Sequence, residues 1–152
     1  MVPLLADVEV PRLAAAEIGN DAGLLLGKLH DAGSVLNKRI LSDFRLRERT
    51  FSVLTLACSG LDATQREIAE FLSLDLNQVA GLVDDLEHRG LVERAPGQRN
   101  RRSRAIVSTA EGRRIHNKIR AELDTCEQQQ LAQLSEDEVT QLKTLLRKAL
   151  WG

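Results

Sequence analysis

Two helix-start signatures standing close together constrain this chain more than any other feature. Thr64 is followed three residues later by Glu67, and Asp75 three residues later by Gln78. In each pair the first side chain can accept an amide hydrogen of the opening turn while the second reaches back to the first residue's own amide, the arrangement of a capping box. The first box opens a short helix with Ile68, Ala69 and Leu72 inward. The second opens a longer one whose Val79, Leu82, Val83 and Leu86 recur at the i, i+3, i+4, i+7 spacing of a buried face. Gly90 stops it at His88 or Arg89. Two helices joined by so short a turn form a helix-turn-helix.

The stretch after it switches from helical to strand patterning. Leu91–Arg94 reads as a short strand, Ala95–Ser103 as a turn-rich basic loop around Pro96 and Gly97, and Arg104–Ser108 as the returning strand. A strand, basic loop and strand directly after the second helix make a wing. Upstream, an irregular arm to Asn20 with Pro3 and Pro11 closes on a helical turn. From Asp21 a long helix carries Leu25, Leu29, Ala32, Leu36 and Ile40 on one face, and a second runs over Glu48–Ser59 with Phe51, Leu54 and Cys58 together. Downstream, Thr109 caps Glu111–Leu134, where Ile115, Ile119, Leu123 and Cys126 align. Ser135 and Glu138 form a third box before a terminal helix with Val139, Leu142, Leu146 and Leu150.

The expected fold class is therefore mainly α: a winged helix-turn-helix module at 47–108, flanked by long N- and C-terminal dimerisation helices at 21–46 and 109–152, with an arm at 1–20. Apolar residues at 43% suffice for a core, and aromatics at 3% leave it to Leu, Val, Ile and Ala. The stripes of the terminal helices are longer than a small winged module can cover, so a second copy of the chain is expected to bury the remainder.

The net charge of −1 conceals a polar division. Residues 62–88 hold seven acids against Arg66, a net of −6, whereas residues 89–104 hold six arginines against Glu93, a net of +5. Six arginines around a Pro-Gly turn suit a loop that contacts phosphates. On the second helix of the pair, Asn77 and Gln78 suit bidentate contact with adenine in a major groove.

Catalysis has no support: the chain lacks a Gly-rich phosphate loop, a nucleophile elbow and an HExxH pattern. Cys58 and Cys126 have no metal spacing, and His30, His88 and His116 lie far apart, so neither a metal nor another cofactor is expected. Both cysteines fall on apolar helical faces, which favours packing over thiol chemistry. Neither a signal peptide nor an apolar run approaching the ~20 residues of a membrane span is present, and a reducing cytoplasm is the expected compartment.

From Thr64 to Gly112 the chain resembles the MarR family (multiple antibiotic resistance regulators) of winged helix-turn-helix transcriptional regulators. The resemblance lies in Gln65–Asp75, in Val79 and Leu82–Arg94, and in Arg101–Ser103 followed by Ser108–Gly112. It extends over most of the flanking helices. It implies a homodimer with interleaved terminal helices, bound to a palindromic double-stranded DNA operator and acting as a ligand-responsive repressor. Thr64, Gln65, Asn77, Gln78 and Gly81 of the helix pair and Arg99, Asn100, Arg101, Arg102 and Ser103 of the wing are the expected DNA contacts. A wing arginine would enter the minor groove. An aliphatic pocket lined by Leu25, Leu29, His30, Phe51 and Leu54 would take a small lipophilic or aromatic effector. Three positions depart from the family pattern: Asn100 stands where the wing usually has Asp, Gly81 follows Ala80 where an Arg is frequent, and Asp85 adds an acid. These shift the expected affinity toward the arginine wing. The alternative is a winged-helix module for protein–protein contact, with weak or no specific DNA binding.

Overall fold

The computed structural model describes residues 9–98 and 100–152. Two 3-10 turns, Arg12–Ala15 and Glu17–Asn20, precede helices α1 (Ala22–Asp43), α2 (Glu48–Ala57), α3 (Gln65–Leu72) and α4 (Leu76–His88). Strands β1 (Val92–Pro96) and β2 (Arg104–Ser108) follow, then helices α5 (Ala110–Gln130) and α6 (Glu136–Trp151). Among the described residues no helix is long and apolar enough to cross a membrane.

The chain divides into two compact units. Asn37–Glu122 forms a winged unit; the described residues up to Leu36 together with Leu123–Gly152 form a terminal-helix unit. The winged unit takes in the last turns of α1 and the first half of α5. Its core is closed: Leu41, Phe51, Val53, Leu54, Ile68, Val79, Val83, Leu86, Val92, Ala105, Ile106 and Ile119 are all buried. Helix α2 packs on α3, α4 and β2 at its centre. The stripe Val79, Val83, Leu86 faces this core as its spacing requires, with Leu82 half-buried at the margin.

Both capping boxes are formed. Thr64 Oγ1 accepts the Glu67 amide at 3.2 Å, and the Glu67 carboxylate accepts the Thr64 amide at 3.4 Å. Asp75 accepts the Asn77 amide at 2.7 Å, and Gln78 Oε1 accepts the Asp75 amide at 3.2 Å. Gly90 ends α4 with φ +72°, a left-handed conformation that glycine adopts without a side-chain penalty. The wing is a two-stranded antiparallel ladder from Val92 opposite Ser108 to Pro96 opposite Arg104. Strand β1 extends past the predicted Arg94 to Pro96, which a two-stranded sheet tolerates because every strand has an open edge. The residues just before α3 join this sheet: the Ile106 amide donates to Ala63 O at 2.8 Å, and Thr64 bridges Ala105.

Thr109 caps α5, accepting the Gly112 amide at 3.0 Å while donating to Gly90 O at 2.6 Å. A Cβ on Gly112 would lie 1.9 Å from Leu91 O, so only glycine lets the start of α5 lie against the α4–β1 turn. Helix α5 ends at Gln130, short of the predicted Leu134, and residues 131–134 form a turn into the Ser135 cap of α6.

The terminal-helix unit is built differently. Gln130 of α5 donates to Leu29 O of α1, and Lys143 of α6 pairs with Glu127 of α5 at 2.8 Å. Yet Leu25, Leu26, Leu29 and Val35 of α1 and Leu145, Leu150 and Trp151 of α6 are exposed, Leu150 at 70%. The stripes predicted from the sequence exist and are part-covered within this unit: Ala32, Leu36, Val139, Leu142 and Leu146 are half-buried, whereas Leu25, Leu29 and Leu150 are exposed.

Candidate nucleic-acid interface

The candidate surface is assembled from the openings of α3 and α4 and from the loop between β1 and β2. At the start of α3, the Thr64 hydroxyl is taken up by its cap, donating to Glu67 Oε1 at 3.1 Å as well as accepting the Glu67 amide. Gln65, the first residue of the helix, is half-buried and receives two hydrogen bonds on Oε1 from Arg94, at 3.1 and 2.9 Å. At the start of α4, Leu76, Asn77 and Gln78 are all exposed, with Gln78 Oε1 engaged in its cap. Asn77, Gly81 and Asp84 follow at spacings of four and three, so they share one outward stripe. A Cβ at Gly81 would meet nothing within 4 Å, so the glycine opens this stripe without any internal packing need. Leu76, 45% exposed beside Asn77, was passed over by the sequence reasoning; its sign was an apolar residue at the first helical position, off the buried stripe.

The wing loop has a defined shape. Asn100 Oδ1 accepts the Arg102 amide at 3.0 Å, and Asn100 O accepts both the Ser103 amide at 3.1 Å and the Ser103 hydroxyl at 2.8 Å. At the base of the loop, the Gly97 amide donates to Ser103 O at 2.9 Å, and the Gln98 amide donates to Asp62 at 3.2 Å. Asn100 and Ser103 thus bend the tip through their side chains, while Arg101, Arg102 and Arg104 are exposed on it. Arg99 lies outside the described residues.

The structure resolves the polar division seen in the sequence into individual pairs. Of the seven acids, Asp62 holds the wing loop, Glu67 and Asp75 cap helices, and Asp84 and Glu87 bind Arg94 at 2.6 and 2.9 Å. Of the six arginines, Arg94 is so clamped, and Arg89 donates to Phe44 O and Arg45 O at 2.8 and 2.9 Å. The run of arginines is therefore not one uniform phosphate-facing loop. Arg89 and Arg94 tie the winged unit together, and the tip carries the exposed guanidinium groups.

The residues expected to line an effector pocket fall into two environments. Phe51 and Leu54 lie in the closed core of the winged unit, at 5% and 0% exposure, and the Phe51 ring stacks on His116 with centroids 5.4 Å apart. Leu25, Leu29 and His30 are exposed on α1 in the terminal-helix unit. The Phe51–His116 stack was not anticipated, because residues so distant in sequence leave no periodic signal.

The family model of the MarR family matches residues 46–103, the span from the α1–α2 turn to the end of the wing loop. A transcriptional regulator of this family from Rhodococcus sp. RHA1 is 32% identical, with 90% of this chain and 97% of that one covered and a TM-score of 0.80. The chain belongs to the MarR family. The structure of CouR from Rhodococcus jostii RHA1 bound to p-coumaroyl-CoA is also 32% identical, covering 90% and 96% of the two chains with a TM-score of 0.82. A cysteine-to-serine mutant of E. coli MarR, solved in complex with operator DNA, is 25% identical over 93% of this chain and 99% of that one, with a TM-score of 0.71. This MarR-family chain is accordingly a transcriptional regulator with a DNA-binding winged helix. Helices α1, α5 and α6 flank its winged module.

Proposed function

We propose that this regulator is a homodimeric, ligand-responsive repressor that binds a palindromic operator in double-stranded DNA. The observation that carries the DNA reading is the wing tip: a loop bent by Asn100 and Ser103 that leaves Arg101 and Arg102 exposed, adjoining in sequence a helix with Asn77 and Gly81 open on its outer stripe. Arg101 and Arg102 serve the phosphates and the minor groove; Asn77 and Gln78 read base edges in the major groove; Gly81 lets the helix lie close; and Thr64 and Gln65 meet the backbone at the start of α3. Arg99, Asn100 and Ser103 complete the wing contact, the last two chiefly by fixing its bend.

The homodimer is supported by the exposed apolar side chains of α1 and α6, Leu25, Leu29, Leu145 and Leu150 among them, which a second copy could cover. Two copies would present two winged units to half-sites about one helical turn apart. For the effector, the relative solved with p-coumaroyl-CoA supports a small molecule with an aromatic or lipophilic part. Leu25, Leu29 and His30 offer exposed surface for it, whereas Phe51 and Leu54 would first have to leave the core.

Selection from a random duplex-DNA pool at about physiological salt tests the reading. Enrichment of an inverted repeat with the spacing above is the expected result. Recovery of no common sequence, with weak binding only, would favour a winged module used for protein–protein contact.

A further inference from the structure

One side chain links the wing to both helices of the helix-turn-helix. Arg94 leaves β1 with a side chain only 20% exposed. Its Nε and Nη2 both donate to Gln65 Oε1, at 3.1 and 2.9 Å; Nη2 also donates to Asp84 Oδ1 at 2.6 Å, and Nη1 to Glu87 Oε1 at 2.9 Å. The Arg94 amide adds a 3.3 Å bond to Glu87 Oε2. A guanidinium carries five N–H donors in a rigid fork and no acceptor, so it dictates which end of each neighbour faces it.

We propose that Arg94 is a positioning residue for DNA recognition: it turns Gln65 so that its amide N–H2 is presented to a DNA backbone phosphate, and it screens Asp84 and Glu87 from the same backbone. The inference rests on the DNA-binding reading above. A glutamine amide has one acceptor end and one donor end, and the hydrogen-bond network decides their placement. Because Arg94 can only donate, the oxygen of Gln65 must face it, and the opposite end of the amide is a donor. That donor stands in the first turn of α3, where backbone amides and the helix dipole already favour an anion. A phosphate oxygen fits it; a donor group on a base edge does not. Asp84 shares the outward stripe of Asn77 and Gly81 and is 70% exposed, so without a cation beside it a carboxylate would oppose the phosphates across the groove.

Gln65→Glu separates this role from a purely structural one. The carboxylate keeps an oxygen toward Arg94 and gains charge attraction, so the melting temperature should hold or rise. The outward donor, however, becomes an anion. Binding to a random-sequence duplex, followed by fluorescence anisotropy, should weaken about tenfold, the scale of a lost hydrogen bond to a charged group. Arg94→Met should weaken it at least as much, and Asp84→Asn in that background should restore part of the loss. If Arg94→Met does not fold, Gln65→Glu still decides. Wild-type affinity in a folded Gln65→Glu variant would overturn the proposal and leave the DNA-binding reading standing. A wild-type protein that fails to bind the duplex would remove that reading, and the proposal with it.

Discussion

The winged unit and the terminal-helix unit draw on the same aliphatic side chains and bury them to different extents. In the winged unit α2 has a partner on several sides, and Val53, Leu54, Val79, Val83 and Leu86 each show no exposure. In the terminal-helix unit the stripes are as regular but only part-covered: Leu36, Val139, Leu142 and Leu146 are half-buried, and Leu25 and Leu150 remain 49% and 70% exposed. Hydrophobic periodicity says that a face must be buried; the number of layers around it decides whether one chain can do so. The winged unit closes its core in one copy, although Leu61, Phe71 and Leu76 stay exposed on its surface. The second keeps part of its stripes exposed, the surface on which the proposed dimer rests.

The closest approach in the winged unit is at Gly112. Gly112→Ala forces a methyl group against Leu91 O inside the winged unit, where nothing yields easily. The expected loss is about 3 kcal/mol, or about 10 °C in melting temperature. A wild-type melting curve would mean that the contact is looser than 1.9 Å implies. In the terminal-helix unit, Leu29→Glu with Leu150→Glu should leave the winged unit folded and weaken dimerisation by more than about tenfold, since it buries unpaired charge. Sedimentation velocity over a dilution series reads this directly, and an unchanged dimer would place the interface elsewhere.

Arg101→Ala with Arg102→Ala should weaken binding to every duplex sequence, and each phosphate contact removed should lower the log–log salt slope by about 0.9. An unaltered slope would reassign the wing tip. Gly81→Ala should stabilise the protein by about 1 kcal/mol, because the helix gains an alanine and its Cβ meets no atom. Unchanged DNA affinity in that variant would make Gly81 a relaxed position, whereas a marked loss would show that the groove needs the space. The smallest effect belongs to the exposed Glu111–Arg114 pair, 2.7 Å apart on α5. Arg114's hydrogen bonds hold the Glu111 carboxyl below its usual range, so the pair contributes above the unfolded carboxylate pKa and loses that contribution as pH falls through the folded one. Water screens it, and Glu111→Gln at pH 7 should leave the melting temperature unchanged within error.

Most of the architecture was legible because its signals are local. The Thr64–Glu67 and Asp75–Gln78 boxes, the Gly90 stop, the Thr109 cap and the returning strand Arg104–Ser108 each depend on residues a few positions apart, and each stands where the pattern put it. Boundaries shifted where local rules compete: β1 ran on through Pro96, and α5 stopped at Gln130. The candidate surface was less legible. Charge counts gave residues 62–88 a net of −6, yet they could not show that five of those acids are engaged in caps, the wing base or the Arg94 clamp.

The sequence by itself determined which segments are helices, where they start and stop, and which face of each is apolar, because capping and periodicity act within a turn or two of the chain. Only the tertiary structure decided which charges are used internally and which are left for a partner. Arg94 meets Gln65 across 29 positions, and Arg89 meets Phe44 across 45. Contacts at such separations follow from packing α3, α4 and the wing around α2, and no local rule contains them.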